Sequence, residues 1–203
     1  SFPTRRSSDL VHDHGGKLFG QINHCGRQVF AKAMGLDSAI SASNVSEKVM
    51  GTKPRPMTGE EIKETVAYFA ASAEYCMEAG LDGVQIHAGH GYLINQFLSP
   101  YTNRRNDDYG GDFTRCTQFL LEVYRTIRER VGDDYPLILK IGGDDALTGR
   151  PGGLKTGELV EIARILQEEG LNGVEVTVGH YESGFPMIRG TFGDFFEGLM
   201  KEG

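Results

Sequence analysis

Residues 83–100 have the sequence GVQIHAGHGYLINQFLSP, and this stretch joins an expected strand to a group of reactive side chains. Val84 and Ile86 alternate with other residues behind the turn-forming residues 80–83, GLDG, which predicts a short buried strand. Three side chains that carry chemistry follow where this strand should end: His87, His90 and Tyr92. The end of a strand that enters a glycine-containing loop commonly holds reactive groups in α/β proteins, so we expect a functional site here.

The same pattern recurs once further along the chain. Residues 170–177, GLNGVEVT, correspond to residues 80–87, GLDGVQIH, at a constant offset of 90 residues. In both segments a glycine that ends a helix is followed by a tight turn and an apolar strand. The sequence therefore predicts two equivalent helix–turn–strand units.

Strands and helices alternate along the whole chain. The predicted strands cover residues 18–22, 83–86, 136–141 and 173–177. The predicted helices begin at the capping residues Thr58, Asp112 and Thr156, and the first helix has a capping box with Glu61. Apolar residues recur with a helical period in each: Ile62, Val66, Phe69, Ala73 and Met77 in the first, Phe119, Val123, Ile127 and Val131 in the second, and Leu159, Ile162, Ala163, Ile165 and Leu166 in the third. Residues 28–57 show no sustained period and predict a long loop, which is unusual in a compact domain unless it covers something.

This order of elements predicts an α/β fold with parallel strands, because no hairpin signal occurs and helices separate successive strands. Two architectures fit, an open doubly wound sheet and part of a (β/α)8 barrel. Every predicted strand ends in polar residues, and a barrel gathers all such ends at one mouth, whereas an open sheet uses mainly one switch point. We therefore favour a partial TIM (β/α)8 barrel with about four βα units, since a whole barrel takes about 250 residues.

The composition indicates a soluble protein of one-domain size. Hydrophobic residues make up 39% of the 203 residues, and no stretch approaches the roughly 18 apolar residues of a membrane span. The formal charge of −7 is spread without a basic block, which argues against nucleic acid as a partner. The cysteines are odd in number and far apart, which fits reduced thiols in a cytoplasmic protein: Cys25, Cys76 and Cys116.

Both ends of the chain look cut. Residues 1–10, SFPTRRSSDL, differ in character from the rest, and we expect them to be a non-native leader before a domain of residues 11–203. Residues 195–203, FFEGLMKEG, stop in what looks like the opening of a helix. We therefore expect a fragment.

Five polar side chains would face the mouth of a barrel: Gln21, His87, His90, Tyr92 and Lys140. A carboxamide and a cation suit an electron-rich heterocycle that gains negative charge, and paired imidazoles suit a carbonyl oxygen that becomes an enolate. A phenol can deliver a proton. For His24 and Arg27, a structural role in pinning the loop after the first strand is the stronger expectation.

Structural and metal-binding alternatives remain for these residues. Lys140 could pair with Asp144 or Asp145, and Gln21 could satisfy backbone groups. The two histidines could cap the strand end, or they could bind a metal with Asp144 or Asp145 in a hydrolase or lyase. No motif places a third metal ligand, so the metal-dependent enzyme is the second choice.

The segment IHAGHGYLINQFLSPYTNRRNDDYGG, residues 86–111, resembles the Old Yellow Enzyme family and its bacterial NADH:flavin oxidoreductase relatives, including 2,4-dienoyl-CoA reductase-like members. Three further segments resemble the same family: LFGQINHCGRQ, PRPMTGEEI and YESGFPMIRG. The resemblance spans nearly everything from residue 11 to residue 203.

This resemblance implies a TIM barrel that holds FMN at its mouth and takes reducing equivalents from NAD(P)H. Gln21 matches the residue that hydrogen-bonds the pyrimidine side of the flavin, and Lys140 matches a basic residue near N1 and O2 that is arginine in many members. His87 and His90 match the pair that binds the substrate oxygen, and Tyr92 matches the proton donor. The implied reaction is hydride transfer from the flavin to the β-carbon of an activated alkene, as in an ene-reductase.

The implied partner is a small enone or enoyl molecule, and the resemblance leaves a homo-oligomer open. An iron–sulfur (4Fe-4S) segment and an FAD domain belong only to longer relatives. The residues that cover the flavin face and bind its phosphate would lie outside this chain, so we expect the 203-residue chain alone to bind FMN poorly. The non-enzymatic alternative is an inactive truncated gene product with exposed strand edges.

Overall fold

The computed structural model of the chain describes residues 7–145, 147 and 152–183. The helices are α1 (Ser7–Asp13), α2 (Gly59–Glu78), α3 (Leu93–Leu98), α4 (Phe113–Val131) and α5 (Thr156–Glu168). The strands are β1 (Phe19–Ile22), β2 (Ile40–Ser41), β3 (Arg55–Pro56), β4 (Gly83–Ala88), β5 (Leu137–Gly142) and β6 (Gly173–Thr177). The segment 184–190 of the YESGFPMIRG motif and the helix expected from residue 195 lie outside the described residues.

Four of these strands form one parallel sheet in the order β1-β4-β5-β6. Each strand pairs with the strand of the preceding βα unit, and Ile22, Ile86 and Leu139 stand side by side in register. All four strands therefore end at the same edge, which we call the carboxyl-terminal edge. The predicted parallel sheet with crossover helices is confirmed.

The two faces of the sheet differ in chemistry. The outer face carries apolar residues that pack into one core with α2, α4 and α5, among them Val84, Ile86, Leu137, Leu139 and Ile141. Each fully buried side chain of this size contributes about 1.5–3 kcal/mol. The inner face carries the polar residues of the same strands, because successive side chains of a strand point to opposite sides.

Helices α2 and α4 follow their predicted patterns. Thr58 accepts a hydrogen bond from the backbone of Glu61, whose carboxylate accepts one from the backbone of Thr58 in return. Asp112 likewise caps α4 by accepting from the backbone N–H of Arg115. The predicted apolar stripes of both helices are buried, except for Met77, which is partly buried against the core.

Helix α5 differs from its prediction in two details. Thr156 is its first residue and not its cap; the cap position is Lys155, whose backbone N–H donates to the carboxylate of Glu158 at 2.9 Å. The Glu158 carboxylate thus satisfies the N–H of Lys155, and no hydroxyl caps the start of α5. Ala163 and Ile165 are only half-buried. Ala163 borders an open cleft between α5 and β6, the edge strand of the described sheet.

The turns before β4 and β6 are built alike. Asp82 exchanges two hydrogen bonds with Leu18, at the start of the neighbouring strand, through its backbone N–H and its side chain. Asn172 exchanges the same two bonds with Leu137. Each βα unit of the repeat is thus fastened to the strand before it in the same way.

The segment 28–57 is not a structureless loop as predicted. It contains a short 3₁₀ helix, Ala31–Met34, and a two-residue parallel pair between β2 and β3. These elements are too short to show a period in the sequence. Within the described residues, no helix combines the length and the apolar character needed to cross a membrane.

Candidate functional site at the carboxyl-terminal edge

Three polar residues form one row across the inner face near the carboxyl-terminal edge. His87 of β4 is in register with Lys140 of β5, and Lys140 is in register with Glu175 of β6. Residues paired in a parallel sheet point to the same side, so the three side chains share one surface. The Lys140 ammonium lies 2.7 Å from the Glu175 carboxylate. Lys140 is therefore held by Glu175, and not by Asp144 or Asp145 as the structural alternative had it.

A chain of hydrogen bonds connects this row to β1. Gln85 donates from Nε2 to Glu175 Oε2 at 2.7 Å. Gln21 donates from Nε2 to Gln85 Oε1. The Gln21 side chain thus bonds another side chain and not backbone groups, and it lies on the same face as Lys140.

His87 and His90 form a directional pair. The backbone N–H of Gly89 donates to His87 Nδ1 at 3.2 Å, so the proton of a neutral His87 ring is on Nε2. That N–H points to His90 Nδ1, 3.4 Å away. The proton of His90 is then on its Nε2, 2.6 Å from the hydroxyl of Thr177. Each ring accepts at Nδ1 and presents an N–H at Nε2.

Both rings are held in their neutral form. Burial, then the neighbouring His90, then the Lys140 ammonium lower the pKa of His87 to about 4. Burial and Lys140 lower the pKa of His90 as well. Neutral imidazoles at physiological pH can donate a hydrogen bond to a substrate oxygen without carrying charge into the site.

His90 has a strained backbone that its neighbours fix. Its φ of 58° lies in the left-handed region, which costs a residue with a side chain of order 1 kcal/mol. Gln28 donates from Nε2 to the His90 carbonyl at 2.9 Å, and the backbone of His180 pairs with His90 in a parallel bridge. In this conformation the His90 imidazole lies between His87 and Thr177.

Tyr92 stands beside His87 at the start of α3. The two rings meet edge to face with centroids 5.1 Å apart. Burial raises the pKa of Tyr92 above its ordinary value, so the phenol keeps its proton. Helix α3 is buried along its whole length and was missed in the sequence, because it has six residues and no side-chain cap.

The carboxylates after β5 are committed elsewhere. Asp145 is buried and accepts hydrogen bonds from Ser99 at 2.5 Å and Asn95 at 3.2 Å. Asp144 lies 3.3 Å from the ammonium of Lys155. Among the described residues, no three histidines, cysteines or carboxylates come together as a metal site requires. The metal-dependent alternative therefore has no ligand set in this part of the chain.

His24 and Arg27 hold the loop after β1 in place, as expected. Arg27 is fully buried and pairs with Glu182 at 2.7 Å. It also donates to the carbonyls of Val45 and Ser46. His24 Nδ1 accepts from a backbone N–H two residues on, which closes the loop on itself.

Three residues of this surface were not singled out in the sequence: Gln85, Glu175 and Thr177. The signal was present in the repeat, because the offset of 90 residues aligns Gln85 with Glu175 and His87 with Thr177. Polar residues that interrupt two equivalent apolar strands mark the inner face of both.

Comparison with known proteins identifies the family. A sequence profile of the NADH:flavin oxidoreductase / NADH oxidase family matches residues 5–184. The chain belongs to this family. The match begins inside the ten residues expected to be a leader and includes α1.

Curated members of the family are similar over most of the chain. An NADH oxidase of Thermoanaerobacter brockii is 40% identical over 176 residues, which is 87% of this chain and 27% of that protein. A metal reductase of Desulforamulus reducens is 40% identical over 91% of this chain and 27% of its own length. An NADPH dehydrogenase of a Geobacillus strain is 38% identical over 86% of this chain and 49% of its own length. The chain thus spans about a quarter to a half of these relatives.

Solved structures share the fold. A 2-naphthoyl-CoA reductase in complex with 2-naphthoyl-CoA has a TM-score of 0.84 and 31% identity over 97% of this chain and 32% of its own. The old yellow enzyme homologue of Zymomonas mobilis has a TM-score of 0.71 and 26% identity over 83% of this chain and 50% of its own. The four strands and their helices are therefore part of a TIM barrel, as predicted.

Proposed function

We propose that the protein is an FMN-dependent NAD(P)H oxidoreductase that reduces the activated C=C bond of α,β-unsaturated carbonyl compounds. The observation that carries this proposal is the convergence of a carboxamide, an ammonium group and two neutral imidazoles on one face of the sheet. Family membership supports it, since the family is one of flavin oxidoreductases.

The inner face fits the polar edge of a flavin. Gln21 uses its Nε2 on Gln85, and its Oε1 has no hydrogen-bond partner among the described residues. That oxygen is an acceptor for an imide N–H, such as the one on a flavin pyrimidine ring. Lys140, on the same face, supplies positive charge for an anion. We therefore assign Gln21 and Lys140 to the binding of FMN, which supplies hydride chemistry when bound.

His87 and His90 are proposed to bind the substrate carbonyl oxygen. Their Nε2–H groups are the donors that the tautomers leave for an oxygen, provided that a substrate displaces the contacts to His90 Nδ1 and Thr177. As the β-carbon receives hydride, negative charge develops on this oxygen, and fixed donors stabilise that charge. Because the pKa of His87 is about 4, this donor stays neutral above pH 5.

Tyr92 is proposed to give a proton to the α-carbon. Its pKa is raised, so the phenol is protonated at physiological pH, and its ring touches that of His87. A proton donor next to the oxygen-binding pair is where addition across the C=C bond requires one. The small enone or enoyl substrate, the reductant NAD(P)H and a cytoplasmic location are parts of the same proposal.

The whole site is expected to need more of the barrel than this chain contains. The matched part of the chain covers 27% of one relative and 49% of another, and further strands would close the sheet. We accordingly expect the 203-residue chain alone to bind FMN weakly. A flavin titration of this chain that gives tight binding would contradict that expectation.

The test is made on the full-length protein with bound FMN. We expect His87→Ala to lower kcat/KM for an enone about 100-fold, because it removes a donor to the developing charge. His87→Asn keeps an N–H and should recover part of the loss. The measurements are steady-state NAD(P)H oxidation and flavin content from the visible spectrum.

The matched control is His14→Ala, which removes an exposed imidazole before β1. It should leave the rate unchanged. An unchanged rate in His87→Ala with full flavin content would remove His87 from the site, and absence of FMN from the wild-type protein would defeat the proposed function.

A further inference from the structure

The hydrogen bonds from β6 to β1 have a fixed direction. Glu175 accepts from Lys140 and from Gln85 and donates nothing, because a carboxylate is an acceptor only. Its ionised form is favoured, since both partners lower the pKa of Glu175. Gln85 must therefore turn its NH₂ group toward Glu175.

That choice fixes the next amide as well. Because the NH₂ group of Gln85 donates to Glu175, its Oε1 faces β1. Gln21 must therefore donate to that oxygen with its own NH₂ group. The oxygen of Gln21 is then the atom left for a ligand. If a hydrogen-bond donor replaced the Glu175 carboxylate, the side-chain amides of Gln85 and Gln21 could both rotate by about 180°. Gln21 would then present an N–H to the ligand instead of an oxygen.

The charge of Glu175 acts on Lys140 directly. The two groups are 2.7 Å apart, and the Lys140 side chain is about one-fifth exposed while that of Glu175 is about one-half exposed. A carboxylate at this distance offsets much of the positive potential that Lys140 would give to a ligand on the inner face.

We propose that Glu175 and Gln85 are positioning residues for the flavin: together they orient the Gln21 amide to accept from it, and Glu175 also weakens the stabilisation of reduced flavin by Lys140. Glu175 thereby lowers the reduction potential of bound FMN. This inference rests on the proposed function, because it takes FMN as the ligand of Gln21 and Lys140.

The first experiment measures the reduction potential of FMN in the full-length protein and in Glu175→Gln. The substitution keeps the size of the side chain and removes its charge. We expect the ratio of affinities for reduced and oxidised FMN to rise about tenfold, which is about +30 mV for a two-electron couple. Glu161→Gln removes the same charge from an exposed position of the outer helix α5 and should leave the potential unchanged.

The second experiment separates orientation from charge. Gln85→Leu removes both hydrogen bonds of the Gln85 side-chain amide and leaves Glu175 in place. We expect its FMN dissociation constant to rise about tenfold, with a potential closer to wild type than that of Glu175→Gln. Flavin fluorescence measures the affinity, and near-UV circular dichroism checks the fold.

Each result of these two experiments supports or overturns one part of the proposal. A potential that is unchanged or lower in Glu175→Gln overturns the charge effect, and an unchanged affinity in Gln85→Leu overturns the orientation effect. If Glu175→Gln loses FMN altogether, recovery in Glu175→Asp supports the role of the carboxylate, and failure to recover overturns it. A wild-type protein without FMN defeats the proposed function itself, which is a separate result.

Discussion

Strands β4 and β6 have similar sequence patterns and very different surroundings. Each follows a glycine in the left-handed region, Gly80 with φ of 82° and Gly170 with φ of 86°, and each is fastened to the preceding strand by the same two bonds. Yet β4 is buried at every residue, whereas β6 is half-buried or exposed along its length.

The difference comes from neighbours and not from sequence. β4 has a strand on both sides, and its apolar side chains lie in the core with those of α2 and α4. β6 is the edge of the described sheet, and its Val176 is only partly buried against that core. A repeat of sequence therefore fixes the local structure and the two faces of a strand. Its position in the sheet sets how much each residue contributes to stability.

The largest expected difference between the two strands concerns their apolar side chains. Ile86 is fully buried, and Ile86→Ala should lower the free energy of unfolding by about 3 kcal/mol, because it leaves a cavity. Val176→Ala in β6 should cost about 1 kcal/mol, since Val176 is only partly buried. Urea denaturation of the two variants measures both, and equal losses would contradict the role given to sheet position.

A smaller difference is expected when a hydroxyl replaces a methyl group. Val84→Thr places a hydroxyl in the core without a partner and should cost about 2 kcal/mol. Its counterpart Val174 is 40% exposed, so water satisfies the hydroxyl of Val174→Thr and the change should stay within about 0.5 kcal/mol. The midpoints of thermal unfolding of Val84→Thr and Val174→Thr, each compared with that of the wild type, test this difference.

The smallest effect concerns the two turns and depends on pH. A hydrogen bond from Lys17, the backbone N–H of Leu18 and His12 lower the pKa of Asp82 below its usual range. Its contribution to stability is therefore complete above the unfolded pKa of about 4 and is lost as the pH falls through the folded pKa. Asp82→Asn should remove that part of the acid sensitivity while keeping the bond to Leu18.

The converse change is the control for the turns. Asn172 accepts from Leu137 and from Arg128. Asn172→Asp should stabilise the second turn at neutral pH, because Arg128 supplies a cation beside the new carboxylate. This added stability should be lost in acid, when the carboxylate is protonated. Unfolding curves at pH 7 and at about pH 3 show both effects, and added salt should reduce them. Identical pH profiles for wild type and Asp82→Asn would refute the assignment.

Much of the fold was predictable because local signals agree with the packing. The caps Thr58 and Asp112, the apolar periods of α2 and α4 and the four parallel strands all follow from residues close together in sequence. Helix α3 was not predictable in the same way. Its six residues form too few turns to show a period, and it is held by burial and not by a cap.

The sequence indicated part of the polar surface of the candidate site, but not Gln85, Glu175 or Thr177 and not the contacts that join the residues. The positions of Gln21 and Lys140 on the face of His87 follow from strand alternation and parallel register. The partner of Lys140 did not follow, because Asp144 and Asp145 are nearer in sequence, while Glu175 becomes its neighbour only through the pairing of β5 with β6.

The paired bonds of Asp82 and Asn172 bear on how such a protein assembles. A helix, turn and strand that carry their own anchoring residue can dock on the preceding strand before the barrel closes. Addition of units at one end of the sheet then requires only that each new unit carry a turn residue that makes these two hydrogen bonds.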